Sequence, residues 1–199
     1  FHGSTTEEKI ANAEKTTAHF PDAQKLHAKD IQDQRLSAAA ALIQISGHPL
    51  QTFTLENAAL EKLIARAKQV LENGTIDDGS LNDLRQIAIH YARKGDLLYP
   101  HLKVQYGISG PSAVMWTVDD EIRDELNALA KQKDQKETDA WKQRLNAVLT
   151  RMEEMIYKES NILFPNCALN FSEEEWYHIY RDAKDYAECF GIRGDSWEA

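Results

Sequence analysis

The stretch HYARKGDLLYPHLKVQYGISGPSAVMWTVDDEIR, residues 90–123, decides the fold. It reads as the end of one helix and the start of the next, joined by an elbow that contains Gly107, Gly110 and Pro111. His90 lies near one end, and three consecutive acidic residues at 119–121 lie near the other. A chain that returns through the elbow brings imidazole and carboxylate together between two helices. That arrangement suits a divalent or trivalent metal ion.

The composition favours a soluble, mainly helical protein. The 199 residues are 42% hydrophobic and include only 9 Gly and 5 Pro, so long helices are favoured over many short strands. The net charge of −9 argues against nucleic acid or anionic membrane as a partner. No apolar run approaches the roughly 20 residues that a membrane-spanning helix needs. Cys167 and Cys189 form no disulfide framework, so a reducing cytoplasm is the expected compartment.

The spacing of apolar residues predicts an all-α fold in two parts. Residues 1–46 are predicted to form an N-terminal helical region, with a short helix over 5–20 and a second helix restarted near Pro21. Residues 47–192 are predicted to form an up-down four-helix bundle and a short C-terminal helix that Ser172 caps. The four bundle helices are expected near 48–72, 81–99, 111–130 and 138–164.

Polar side chains interrupt the apolar stripes of three predicted bundle helices. Asn57 lies inside the stripe of the first helix, with Glu56 beside it. Asp119 and Glu159 take stripe positions on the third and fourth helices. An inward carboxylate needs a cation or several hydrogen-bond donors, because an unpaired buried charge costs several kcal/mol. These positions are therefore candidates for a site inside the bundle.

Two segments of the chain echo each other. His90 precedes Pro100 by ten residues, and Met155 precedes Pro165 by the same interval. Lys94 then corresponds to Glu159, and Gly95 to Ser160. The match predicts two related helices about a pseudo-symmetry axis.

The predicted metal ligands are imidazole and carboxylate groups, a donor set that suits iron, manganese or zinc. They are His48, His90, Asp119 and Glu159, one on each long helix, with Glu56 and Asp120 around them. The alternative is that Asp119 and Glu159 pair with Lys94 or Arg123 while the histidines cap or pack. No glycine-rich phosphate loop and no serine nucleophile motif is present, and neither cysteine has an evident activating partner.

Several words of the sequence resemble the DUF438 family of hemerythrin-like (HHE cation-binding) proteins. They are HPLQTFTLEN at 48–57, HYARKGDLLYPHL at 90–102, GISGPSAVMWTVDDEIR at 107–123, MIYKESNILFP at 155–165 and EEEWYHI at 173–179. The resemblance also reaches EKIANAE at 8–14 and QKLHAKD at 24–30. It implies a four-helix bundle around a cation site, which in such proteins holds non-haem iron. It also implies ligand roles for His48, Glu56, His90, Asp119 and Glu159.

The chain departs from the family pattern at several polar positions. The pattern has a second histidine at Gln51, a glutamate at Gly95 and a second glutamate at Ser160. In the N-terminal region, residues 26–30 replace the usual LCDxH. Loss of bridging carboxylates lowers the affinity of a dinuclear site. The resemblance therefore implies a reduced site, with one weakly held iron, manganese or zinc ion, or none.

Two classes of function follow. The first is a hemerythrin-like binder of iron or a related cation that serves oxygen, redox or nitric oxide sensing, or iron handling. Its partners would be the metal ion and a small diatomic ligand. The second is a metal-free bundle that acts as a ligand or protein interaction module, as a homodimer or with a regulatory partner. A small oxidative enzyme is a third alternative, which no residue supports, so catalysis is not expected.

Overall fold

The computed structural model describes the backbone of residues 6–105 and 110–198 and the side chains of residues 25–103 and 113–198. Throughout these ranges the regular elements are helices and no strand is formed, which confirms the predicted all-α fold. No helix in the same ranges is both long enough and apolar enough to cross a membrane.

Residues 6–105 and 110–198 form eight α-helices, two of which run directly into short π-helical turns. The α-helices are α1 (Thr6–Ile43), α2 (Pro49–Asn73), α3 (Asp78–Arg85), α4 (Ile87–Arg93), α5 (Gly110–Lys131), α6 (Asp139–Lys158), α7 (Phe164–Asn170) and α8 (Glu173–Ala183). The π turns span Lys94–Leu98, His101–Gln105 and Glu159–Leu163, and a single 3₁₀ turn spans Lys133–Gln135.

Four helical segments surround the core: α2, the pair α3–α4, α5 and α6. Helix α2 contacts α3, α4 and α6, and α5 contacts the same three helices. Side chains cap the starts of α2, α3 and α6, where His48, Asp77 and Thr138 each accept a hydrogen bond from a backbone amide of the first turn. The predicted stripe of α2 is buried from Leu50 to Ala67, with Asn57 among its members. Each fully buried large apolar side chain contributes about 1.5–3 kcal/mol.

The expected division of the N-terminal region at Pro21 was wrong. The backbone is helical from Thr6 to Ile43 without interruption, so one helix, α1, replaces the two predicted helices. A proline removes one backbone hydrogen bond but does not have to end a helix. Helix α1 packs against α2 and α7, and Gln32 donates a 2.9 Å hydrogen bond to the carbonyl of Asn161.

The helices also continue past Pro100 and Pro165, where the sequence predicted an end or a kink. Each proline lies two residues after the end of a π turn. The amide of Tyr99 closes the first turn on the carbonyl of Lys94, and the amide of Phe164 closes the second on Glu159. The missing proline N–H thus falls where the hydrogen-bond register has already shifted, so it does not stop the helix. In the pair α3–α4, the α-helix is interrupted instead at Gln86, between the two helices.

The segment after α8 forms several hydrogen bonds to the rest of the chain. Tyr186 donates to Asp96 at 2.7 Å, the Phe190 amide donates to Gln86 at 2.7 Å, and Ser46 donates to Asp195 at 2.9 Å. The segment also passes so close to Gly47 (φ +78°) that a Cβ there would lie 2.6 Å from its backbone. The C-terminal residues therefore belong to the same packed unit as the bundle.

Candidate metal centre

His90 lies between two glutamates in the middle of the bundle. Its Nδ1 is 3.0 Å from Glu56 Oε1, and its Nε2 is 2.6 Å from Glu159 Oε1. Asn57 also donates to Glu159 Oε1, at 3.3 Å. The three side chains of His90, Glu56 and Glu159 are at most 1% exposed. Because both ring nitrogens face carboxylates, an imidazolium can donate a hydrogen bond on each side.

Lys94 lies between Asp119 and Glu159, so Glu159 contacts both His90 and Lys94. Its Nζ donates to Asp119 Oδ1 at 2.8 Å and to Glu159 Oε2 at 3.1 Å, and the side chain has no exposed surface. The ammonium also lies 4.3 Å from the ring centroid of Tyr91. Tyr99 donates to the second oxygen of Asp119 at 2.9 Å. The sequence alternative in which Asp119 and Glu159 pair with Lys94 is therefore present in the structure.

Arg93 and Cys189 complete the cluster on the far oxygen of Glu56. Arg93 Nη2 donates to Glu56 Oε2 and to Cys189 Sγ, the latter at 3.2 Å. The thiol of Cys189 donates to Glu56 Oε2 at 3.1 Å. The C-terminal segment thus supplies a group that touches the centre of the bundle.

The two π turns determine which side chains face the centre. Lys94 begins the first turn and Glu159 begins the second, so the correspondence predicted from the sequence echo is confirmed. A π turn contains one more residue than an α-turn, and this changes the direction of the side chains that follow. The two equivalent residues carry opposite charge and meet across the bundle.

The pKa values of His90 and Glu159 shift in opposite directions from their usual values. Burial acts to lower the pKa of His90, but the charge of Glu159 and hydrogen bonds to both glutamates outweigh it and raise the pKa to about 9. Burial acts to raise the pKa of Glu159, but the charges and hydrogen bonds of Lys94 and His90 lower it to about 2. His90 is therefore a cation and Glu159 an anion at neutral pH.

The other acidic groups also respond to burial and charge. Burial opposes ionisation of Glu56, but His90 and Arg93 outweigh it and hold the pKa of Glu56 below its usual value. Burial raises the pKa of Asp119 to about 6 against the influence of Lys94, so Asp119 is still ionised at pH 7. Burial and the charge of Glu56 raise the pKa of Cys189 above its usual range, so its sulfur keeps its proton.

The buried cluster is balanced in charge. Three carboxylates (Glu56, Asp119 and Glu159) face three cations (His90, Arg93 and Lys94). Every oxygen of these carboxylates accepts at least one hydrogen bond. Buried ion pairs are tolerated when their charges are paired and the carboxylate oxygens are satisfied, which is the case here. Among the cations, Arg93 Nε has no hydrogen-bond partner.

The structure brings four of the five predicted ligands together and leaves His48 elsewhere. His48 Nδ1 accepts the Leu50 amide at 3.1 Å, and its ring packs 4.7 Å from Trp176 and 4.9 Å from Trp197. Burial lowers the pKa of His48 to about 4. It makes no hydrogen bond to the other four candidates. Asp120, the outer candidate, is exposed and pairs with Arg123.

The positions that depart from the family pattern have other roles here. Gln51 fastens the turn before α2, because it donates to the Ile43 carbonyl at 3.1 Å and accepts the Gly47 amide at 3.0 Å. Gly95 is buried, and a Cβ on it would lie about 3.9 Å from Trp116. Ser160 is exposed. None of the three provides a carboxylate or imidazole to the centre.

Arg93 and Cys189 were missed by the sequence reasoning. Arg93 has the ordinary appearance of a surface residue near a helix end, and Cys189 lies in a segment without helical periodicity. Only the close approach of the C-terminal segment makes Cys189 a neighbour of Glu56.

One group of side chains in the described part of the chain has the geometry of a metal site. The ligand atoms of Glu56, His90 and Cys189 all lie within 4.8 Å of one another, and all three residues are buried. Carboxylate oxygen, imidazole nitrogen and thiolate sulfur together suit zinc or iron.

The comparison with protein families gives a match, and the comparison with curated proteins gives none. The matching family is the hemerythrin HHE cation binding domain, over residues 48–167. This range covers α2 to the middle of α7 and includes Glu56, His90, Asp119 and Glu159, whereas Cys189 lies beyond it. Because the match covers more than half of the chain, the protein belongs to the hemerythrin HHE cation-binding family.

Proposed function

We propose that this protein binds one divalent transition-metal ion through Glu56, His90 and Cys189, next to an ion-paired cluster that fills the rest of the bundle centre. The observation that carries the proposal is the mutual approach of three buried ligand atoms within 4.8 Å. A family of cation-binding domains supports the same class of function. A site for one ion agrees with the reduced site that the altered family positions imply, although Cys189 was not among its predicted ligands.

The side chains fit one ion and do not fit a pair. A second ion would have to bind Asp119 and Glu159, but their oxygens already accept hydrogen bonds from Lys94, Tyr99, His90 and Asn57. Lys94 is entirely buried, so its ammonium has no nearby solvent to move into. A metal ion beside that ammonium would meet strong repulsion in a medium of low dielectric constant. We therefore propose that the bundle binds one metal ion and does not form a dinuclear centre.

Charge balance favours a divalent ion. Loss of one proton from His90 and one from Cys189 lowers the net charge of the cluster by two, and this change offsets the charge of a divalent ion. The same count for a trivalent ion or for two ions leaves excess charge in a dry core, which is costly. Arg93 holds Glu56 from the other oxygen and so fixes the orientation of this ligand.

We propose iron as the ion, with zinc as the alternative, and redox or diatomic-gas sensing as the role. Bound iron would supply a redox centre able to take a diatomic ligand. The thiol donor supports sensing over storage, because thiolate ligands respond to oxidants. A buried ion suits a sensor better than an enzyme that exchanges large substrates. We place the protein in the cytoplasm and in the DUF438 branch of the family as parts of the same proposal.

Cobalt(II) titration of chelator-treated protein tests the site. Bound cobalt should give a thiolate charge-transfer band in the wild type and in the control variant Cys167→Ser. Cys167 is also buried, but it is not one of the three proposed ligands. Cys189→Ser should lose the band and bind at least about tenfold more weakly. An unchanged band in Cys189→Ser would show that another residue holds the ion.

A metal-free interaction module is the second candidate, and the complete charge balance of the cluster favours it. With His90 protonated, Lys94 and Arg93 neutralise the remaining carboxylates without any added ion. In that case cobalt, zinc and iron(II) would neither bind nor raise the melting temperature. A ligand at a hundredfold excess over its dissociation constant stabilises a folded protein by about 2.7 kcal/mol, so binding would be readily detected.

A further inference from the structure

A cavity of about 260 Å³ lies between the start of α2, α8 and the C-terminal segment. Its wall includes Phe53, Arg93, Tyr180, Lys184 and Tyr186. We propose that this cavity binds a small aromatic carboxylate, with the carboxylate held by Arg93 and Lys184 and the ring held by the aromatic side chains. The volume lies just below the roughly 300–1,000 Å³ typical of small-molecule sites.

Arg93 has donors that the protein does not use. A guanidinium has five N–H donors. In Arg93 the hydrogen bonds to Glu56 and Cys189 both come from Nη2, while Nε is buried without a partner and Nη1 makes no hydrogen bond to a described residue. Arg93 is only 6% exposed. Nε is too enclosed for a ligand in the cavity to reach, whereas a carboxylate there would accept hydrogen bonds from the unused Nη1 donors of Arg93.

The remaining wall is suited to a ring with one negative charge. Phe53, Tyr180 and Tyr186 provide aromatic surface, and Lys184 lies 4.6 Å from the Tyr180 ring centroid. The two acidic residues of the wall already have partners: Glu188 pairs with Arg193 at 3.2 Å, and Asp195 accepts from Ser46. Arg193 offsets the charge of Glu188, whereas the serine hydroxyl leaves Asp195 charged. Lys184 forms no salt bridge with a described residue, and so it is the cation of the wall that is available to an anionic ligand.

The cavity is preformed, since both of its sides are held in place. Tyr186 is fixed by Asp96, and Tyr180 accepts the Trp197 amide at 3.2 Å. Gly194 passes so near α2 that a Cβ on it would lie 3.1 Å from the Thr52 hydroxyl. A site that needs little ordering on binding loses little affinity to that cost.

Calorimetry with benzoate on chelator-treated protein tests the inference without reference to any metal. Benzoate should bind saturably at one molecule per chain and change tryptophan fluorescence, since Trp197 lies 5.9 Å from the Tyr180 ring. The neutral analogue benzamide should bind at least about tenfold more weakly, because it lacks the charge-assisted hydrogen bonds. Absence of saturable benzoate binding, or equal binding of benzamide, would overturn the inference.

Three variants locate the binding. Lys184→Glu should weaken benzoate binding at least several-fold, whereas Lys62→Glu, the same charge change at an exposed site outside the cavity, should not. Ala187→Trp fills the cavity from an exposed wall position and should abolish binding. Arg93→Lys keeps a cation for Glu56 but removes the fork of donors, and should also abolish binding. Equal affinity in Lys184→Glu and Lys62→Glu, or full binding by Ala187→Trp, contradicts the assignment even if Arg93→Lys does not fold.

Discussion

Lys94 Nζ lies 3.1 Å from Glu159 Oε2, and each of the two residues begins a five-residue π turn, six residues before a proline. At one of two matching positions the chain carries a carboxylate, and at the other it carries an ammonium. The ammonium reaches Asp119 as well, so one side chain donates to two acids, and His90 provides the second charge beside Glu159. This ion pair explains how a member of a cation-binding family can keep its central acids buried without two metal ions.

Replacement of Lys94 should destabilise the protein strongly. Lys94→Met keeps the volume but leaves Asp119 without a cation and Glu159 with His90 alone, which should lower the free energy of unfolding by about 3–5 kcal/mol. Urea denaturation measures this change. The matched control, Lys68→Met, breaks the partly exposed pair with Glu153 and should cost no more than about 1 kcal/mol. Similar losses in both variants would show that the buried ion pair contributes no more to the free energy of unfolding than the partly exposed one.

Two buried tyrosines near the cluster should respond oppositely to loss of the hydroxyl. Tyr99→Phe removes the donor to Asp119 and should cost about 1–3 kcal/mol. Tyr91→Phe removes a hydroxyl that has no hydrogen-bond partner among the described residues, so stability should stay the same or rise. Thermal denaturation of the two variants side by side makes the comparison. A larger loss in Tyr91→Phe would contradict the hydrogen-bond assignment.

The stability of chelator-treated protein should fall as pH rises from 6.5 towards about 9. The pKa of His90 is higher in the folded state, so its contribution is complete below 6.5 and is lost as the pH passes through about 9. The shift corresponds to roughly 3 kcal/mol. Urea denaturation across this range measures the loss, and in His90→Gln the dependence should be absent. A wild-type stability that is constant over the range would show that His90 is neutral.

His48 should be dispensable for metal binding. It caps α2 through Nδ1 and packs on two tryptophans, so His48→Asn, which can still cap, should leave the cobalt spectrum and affinity unchanged. His48→Ala should lose about 1 kcal/mol of stability through the lost cap, again with an unchanged spectrum. An altered cobalt spectrum in His48→Asn would return this histidine to the ligand set that the sequence predicted.

Helical periodicity was enough to predict most of the bundle and most of its central acids. Asp119 and Glu159 interrupt apolar stripes with a known period, so their inward direction follows from their register alone. The helix ends predicted at Pro21, Pro100 and Pro165 were wrong, and near the last two prolines the π turns before them maintain helical backbone. Local preference at a proline does not by itself end a helix.

The partners of the central acids were harder to predict than the acids themselves. Lys94 was one of two cations considered for Asp119 and Glu159, since sequence spacing does not show how far a long side chain reaches. Cys189 lies 133 residues from Glu56 in a segment with little regular structure, and no period connects them. His48 precedes the stripe of α2, so its register did not determine whether it faced the centre or capped the helix.

The number of metal ions bound per chain tests the central claim most directly. Elemental analysis of protein loaded with iron(II) under anaerobic conditions and then desalted should give one ion per wild-type chain, and close to none in Cys189→Ser. Two ions per chain would show that Lys94 yields its place between Asp119 and Glu159. No bound ion in the wild type would show that the charges of the chain itself complete the centre.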